Sequence, residues 1–133
     1  MSNPTLFSLT ESAMSAQLVR MNAATSNLAN AGSVSTTKEE AYRPIRAVFQ
    51  TALDEASGVS TVSSTQLVRS NANPIERYDP ANALANEEGN VFEAPIDESA
   101  EMIEIMESAR QYQNMVQALQ TAKQLMLETL RSK

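Results

Sequence analysis

The residues best suited to chemistry are two acidic pairs, Glu39-Glu40 and Glu87-Glu88, and the looser set Asp79, Glu87, Glu88 and Asn90. Adjacent carboxylates act as an acid/base pair only where a fixed pocket pushes their proton affinities apart. Both pairs stand in polar stretches beside turn signals, a setting in which charge belongs to solvated surface. The looser set offers oxygen ligands for calcium, but its spacing does not follow the EF-hand loop. The chain has no cysteine and no histidine. That removes disulfides, thiolate metal sites, the cysteine nucleophile and the commonest general base. Its three glycines are isolated and form no phosphate-binding loop. No catalytic residue, cofactor or metal is assigned.

What remains is a question of surfaces and of the elements that carry them. Ten basic and sixteen acidic residues leave a net charge of −6, which disfavours nucleic acid as a partner. Residues 1–50 carry four bases and three acids, residues 51–100 two bases and nine acids, and residues 101–133 four of each. The central region is therefore the acidic one. All three glycines and four of the five prolines lie between residues 32 and 95, so helix-breaking residues are concentrated in the middle of the chain. The N-terminal stretch Met1–Phe7 has no basic start and no long apolar run, so no Sec-type signal peptide is expected. No run approaches the roughly 18 apolar residues of a membrane span.

A first helix is predicted over Pro4 to Asn30, with Asn3 as cap, Ser8 and Glu11 as a second possible start, and Ala31-Gly32 as its end. Phe7, Met14, Met21 and Leu28 recur every seven residues, with Leu18 and Thr25 between the later ones, a coiled-coil-like row. A second helix is predicted from the cap Asp97 to Leu130. Its row is Ile105, Ala109, Tyr112, Val116, Leu119, Lys123, Met126 and Leu130, flanked by Met115, Ala118, Ala122 and Leu125. Between the helices, Ser33–Glu40 reads as a mobile loop. Residues 45–50, Val59–Val68 and Val91-Phe92 read as strands. The expected architecture is mainly α with a small β-containing insert, the long terminal helices pairing as a coiled-coil-like hairpin. The divisions are 1–32 (N-terminal helix), 33–96 (loop and β-rich insert) and 97–133 (C-terminal helix).

Six of the seven methionines lie on the two helices. Two readings stand: an adaptable contact surface, or ordinary core filler. One geometric argument bears on the choice. Leu6, Leu9, Val19, Ile103, Met106, Met115, Leu125 and Leu127 cannot all face a single helix–helix contact. Burying each is worth about 1.5–3 kcal/mol, which favours further contacts with neighbouring subunits.

Specific residues add a family resemblance. Ser26-Asn27-Leu28-Ala29-Asn30, followed by Tyr42-Arg43 and Val48-Phe49-Gln50, resembles the N-terminal signature of bacterial flagellar rod, hook and hook-associated axial proteins. Tyr78-Asp79-Pro80, Asn82, Leu84-Ala85, Gly89 and Val91 resemble the middle of the C-type basal-body rod proteins. Glu101-Met102, Ser108-Ala109-Arg110, Tyr112-Gln113, Thr121-Ala122-Lys123, Met126-Leu127 and Thr129-Leu130 resemble their last helix. Ala41 departs from the pattern, standing where a proline is common before Tyr-Arg.

The resemblance implies a structural subunit of the periplasmic proximal rod, the drive shaft that carries torque from motor to hook. It implies export through the flagellar type III apparatus without a cleaved signal. The implied partners are other rod subunits, copies of itself, and adjacent membrane-ring and rod-adaptor proteins, with no nucleic acid and no membrane span. The residues assigned to the assembly seam are Met14, Leu18, Met21, Leu28, Tyr112, Val116, Leu119, Met126 and Leu130. A soluble helical adaptor or export chaperone of a type III system is the alternative.

Overall fold

The computed structural model describes residues 5–132. Helix α1 runs Leu6–Ala29 and helix α2 runs Glu98–Arg131, about 36 and 51 Å of helix respectively. Five strands lie between them: β1 (Val34–Ser35), β2 (Ile45–Asp54), β3 (Val59–Arg69), β4 (Ile75–Tyr78) and β5 (Asn90–Glu93).

The first helix starts from Thr5. The Thr5 hydroxyl accepts from the Ser8 amide at 3.1 Å, and Ser8 Oγ accepts from the Thr5 amide at 2.9 Å. A serine thus plays the part glutamate takes in the usual capping box. Ser8 lies inside the helix rather than at its cap, and the expected cap Asn3 and start Pro4 lie outside the described residues. At the other end Asn30 caps the helix, its Nδ2 donating to the Ser26 carbonyl at 2.8 Å, and Gly32 takes φ +78° in the turn beyond. Helix α2 is capped by Asp97, whose Oδ1 accepts from the amides of Ser99 and Ala100. Glu98 and Glu101 add negative charge at the positive end of its dipole, and Arg131 adds positive charge at the other.

The helices run antiparallel. Asn27 meets Glu101, Arg20 meets Glu104, and Leu6 and Phe7 lie against Ala122, Leu125 and Met126. The buried apolar side chains of the helices are all small: Ala16, Ala23 and Ala24. Ser108 is also fully buried, and its hydroxyl is satisfied within its own helix by the carbonyls of Glu104 and Ile105.

The expectation of a mainly α chain fails: 45% of the structure is helix and 24% is strand, arranged in two antiparallel sheets. The strands gain length because the β2–β3 hairpin is closed by a strong turn. Asp54 accepts from the Ala56 amide and the Ser57 hydroxyl, its carbonyl accepts from the Gly58 amide at 2.7 Å, and Gly58 sits at φ +68°. With that turn fixed, pairing continues from Asp54↔Val59 to Ile45↔Arg69, interrupted by a bulge at Ser63. The second sheet has the order β1-β5-β4. Its strand β1 lies inside the stretch expected to be a mobile loop, where it pairs Val34 with Glu93 and Ser35 with Phe92. Val91, Phe92 and Ala94 form a second small buried cluster here, at the end of the molecule where α1 finishes and α2 begins.

The hairpin lies back along α1. The Ile45 backbone is held beside Asn27, and the Val62 carbonyl accepts from Ser12 Oγ at 2.8 Å. From Asn27 to Ser12 is about 22 Å of helix, and from Ile45 to Thr51, the partner of Val62, is about 20 Å of strand. The two elements therefore stay in step.

The β4–β5 turn contains the residues Tyr78-Asp79-Pro80 to Gly89. Asn86 organises it, its Oδ1 accepting from the amides of Glu88 and Asn90. Gly89 has φ +82°, and a Cβ there would stand 2.8 Å from Tyr78 Cε2 and 3.2 Å from Pro80 Cβ. Gly89→Ala is expected to cost about 1–3 kcal/mol through backbone strain and displacement of Tyr78. Denaturant unfolding measures it. Gly58→Ala, with open space around the missing Cβ, is expected to lose less.

Candidate assembly interface

The joint between the helices and the hairpin is built on one asparagine. Asn27 is fully buried near the end of α1, and its amide makes every bond it can. Its Nδ2 donates to the Ile45 carbonyl at 2.9 Å and to Glu101 Oε2 at 3.2 Å. Its Oδ1 accepts from the Ile45 amide at 2.8 Å and from the Tyr42 hydroxyl at 3.0 Å. The pair of bonds to Ile45 repeats what a neighbouring strand would offer, so the side chain extends the base of the hairpin. Tyr42 spends its only hydroxyl proton on Asn27, so Ser26 Oγ, 3.1 Å away, is the donor in the remaining Ser26–Tyr42 bond.

Glu101 is 1% exposed and its other oxygen lies 2.5 Å from Arg46 Nη2. The Glu101 hydrogen bond holds the Arg46 guanidinium above its ordinary proton affinity, against the opposing effect of burial. Around this centre, Arg69 stands 5.6 Å over the Tyr42 ring and donates to the Arg43 carbonyl, while the Ser70 amide closes the hairpin base on Pro44. One turn along, Arg20 grips Glu104 with two bonds, of 2.6 and 2.8 Å, and reaches Glu107 at 3.1 Å.

The apolar residues lie outside this polar joint. Met14, Leu18, Tyr112 and Leu119 come together with Phe7 along one open groove between the helices. Met126 lines a second groove with Leu6, Phe7, Ala122 and Leu125, and Leu130 continues it with Thr129. Met21, Leu28 and Val116 are half-buried, whereas Leu18, Met126 and Leu130 are exposed, the last at 68%. On another face the hairpin partly covers Leu9, Ala13, Met115 and Ala118 with Ser60, Thr61 and Val62. Met102, Ile103 and Met106 remain exposed on α2. Among the remaining Ser26–Asn30 positions, Ala29 is exposed and Asn30 is the cap.

The acidic pairs Glu39-Glu40 and Glu87-Glu88 are exposed. Among the described residues, no group of three acidic side chains is gathered to hold a metal ion, and no helix is long and apolar enough to cross a membrane. Sequence reading did not single out Arg20, Arg46 and Glu104, and it placed Glu101 in the family-like last helix without any partner. Their pairings join residues up to 87 positions apart, for which a single sequence carries no signal.

The chain is 39% identical over 127 residues to the flagellar basal-body rod protein FlgC of Salmonella typhimurium, covering 94% of this chain and 93% of the relative. The FlgC proteins of Escherichia coli O157:H7 and Yersinia enterocolitica are 37% and 36% identical over 125 residues, with the same coverage. The chain belongs to the FlgC family of flagellar basal-body rod proteins. No protein-family model matches it. Set within the FlgC family, the long exposed helices and polar joint described above belong to a structural rod component of the flagellum.

The Arg20–Glu104 pair generates a pH prediction. The Arg20 hydrogen bond holds the Glu104 carboxyl below its ordinary value, with burial opposing and the charges of Arg20 and Arg46 assisting. A folded-state value below the unfolded one stabilises the fold fully above the ordinary carboxylate range of about 4.3. That contribution is lost as pH falls through the lowered folded value. Both side chains are partly exposed, so its size is up to about 1 kcal/mol. In denaturant unfolding from pH 6 down to 3, the gap between the native chain and Glu104→Gln is expected to narrow with acidification.

Proposed function

We propose that this chain is a subunit of the proximal rod that polymerises through its two terminal helices to form the periplasmic drive shaft carrying torque from motor to hook. The observation that carries this reading is the apolar surface left open along the helix pair. Leu6, Ile103, Met106, Leu125, Met126 and Leu130 are each more than half exposed. A side chain of that kind is worth about 1.5–3 kcal/mol when covered, and several lie in succession on one long element. Neighbouring rod subunits or further copies of the chain are the surfaces that would cover them. Torque is then shared over many lateral contacts, each made of adaptable Leu and Met packing.

In this reading residues 1–32 and 97–133 form the helical rod core and residues 33–96 the outward insert. The seam is made by Met14, Leu18, Met21, Leu28, Tyr112, Val116, Leu119, Met126 and Leu130. Other rod subunits, the adjacent membrane-ring protein and the rod-adaptor proteins are its neighbours. It reaches them through the flagellar type III export apparatus without a cleaved signal. The sparse buried core is compatible with that route, because little packing has to be undone before export.

The test uses Met126→Asp combined with Leu130→Asp, two positions whose exposure spares the isolated fold. The variant is expected to express and to be exported at normal levels, yet to leave a strain lacking the native gene non-motile, with basal bodies that carry no complete rod in electron micrographs. Full swimming with a complete rod and hook would count against the seam. A complete rod in the strain lacking the gene altogether would reject the structural role and leave the adaptor or chaperone alternative.

A further inference from the structure

We propose that Asn27, Arg46 and Glu101 form a latch that makes the seating of α2 on α1 and the anchoring of the β2–β3 hairpin a single cooperative event. The backbones of the two elements it joins stand apart, and away from the hairpin base their side chains meet where Ser60, Thr61 and Val62 lie beside Met115 and Ala118. Among the described residues, no Cα of α2 lies within 8 Å of a Cα of β2 or β3. Both strands pack on α1, and α2 packs on α1 elsewhere. At the hairpin base the polar connection between α2 and β2 is the long reach of Arg46 to Glu101.

The chemistry of the link makes it reciprocal. When α2 seats, the Glu101 carboxylate leaves water, since it is 1% exposed. Its counter-charge is on β2 and its second hydrogen-bond donor is on α1. Without the hairpin base in place, the helix would bury a carboxylate lacking its cation, which a low-dielectric site strongly disfavours. The reverse holds equally. The Ile45 peptide is gripped by both ends of the Asn27 amide, and one Nδ2 proton of that amide is satisfied by Glu101. Removing α2 would hand that proton to water and take from Arg46 its buried counter-charge. Each docking event therefore completes the partner set of the other, which is a coupling between two sites in the thermodynamic sense. Glu104 on α2 adds to it, because its charge also acts on Arg46.

Amide hydrogen exchange on the purified full-length chain tests the latch. Glu101→Ala, a change on α2, is expected to speed exchange at residues 45–49 and 65–69 of the hairpin at least tenfold. Leu119→Ala, also on α2 but far from the joint, serves as the control for general loosening, and the hairpin effect of Glu101→Ala must exceed that of the control. Conversely, Arg46→Ala on β2 is expected to speed exchange in the first turns of α2. If Glu101→Ala does not fold, Glu101→Gln, which keeps the acceptor for Asn27 and loses the charge, is expected to loosen the hairpin base severalfold with helix content retained. A hairpin that is unprotected in the native chain overturns the latch, as does one that responds to the Glu101 variants no more than to Leu119→Ala.

Discussion

A carboxylate buried to 1% exposure, tied to an asparagine on one helix and an arginine on a strand, is the constraint on which the rest of the molecule depends. Burying such a charge is costly unless it is paired and hydrogen-bonded; Arg46 is itself half-exposed, so breaking this pair costs less than the roughly 3–5 kcal/mol of a fully buried one. The arrangement that meets this requirement also fixes three directions at once. It sets where α2 begins relative to the end of α1, where the hairpin leaves the helix pair, and which way Tyr42 and Arg69 stack over the base. A hydrophobic cluster of the same size would hold these elements together with far less angular definition, because apolar contact is non-directional.

Away from the joint the chain is sparsely packed. Among the described residues the buried apolar side chains are four alanines along the helices and the Ala41 turn, then Val91, Phe92 and Ala94 at the small sheet. Alanine buries little area, so these contacts let the helices approach without filling a large core. Of the larger Leu, Ile and Met side chains described on the helices none is fully buried, and Leu6, Ile103, Met106, Leu125, Met126 and Leu130 are more than half exposed. Such a distribution gives a joint of defined geometry within a framework that leaves much of its apolar side-chain surface exposed.

Much of this plan was legible in the chain. Asp97 as a helix cap, the polar end at Asn30 to Gly32, and the alternating strand from Ile45 follow from local rules, and local rules decided them. The extent of β structure was not legible. Ile75, Glu76, Arg77 and Tyr78 are all exposed and show no buried face, so their strand is made by pairing with β5 rather than by pattern. Val34-Ser35 is too short to have a period at all. At the joint, the Ser26–Asn30 stretch was marked by its family resemblance, but the use of Asn27 as a mimic of a strand edge was hidden. Glu101 reads as a solvated first-turn acid because hydrophobic periodicity cannot register a polar residue that is buried by virtue of its partners. Likewise Ala16, Ala23 and Ala24 fall between the rows of large residues that periodicity selects.

The two parts of the design constrain each other. If every large apolar side chain were folded into a monomer core, α1 and α2 would be stable alone, and little surface would remain with which to grip a neighbour. If the joint were also apolar, a helix pair with most of its oily surface outside could slide or rotate while keeping nearly the same contact area. A directional ion pair and a fully satisfied amide remove that freedom at the root of the hairpin, at the cost of desolvating a charge. Within the proposed rod, applied torque would reach each subunit as shear between the helices and the insert. Shear is resisted by directional bonds that are lost over less than an ångström of displacement, more sharply than by apolar contacts that tolerate sliding. On this argument the polar joint and the exposed leucines and methionines are complementary. In the proposed rod the joint would keep each subunit rigid, and the side chains around it would supply the adhesion.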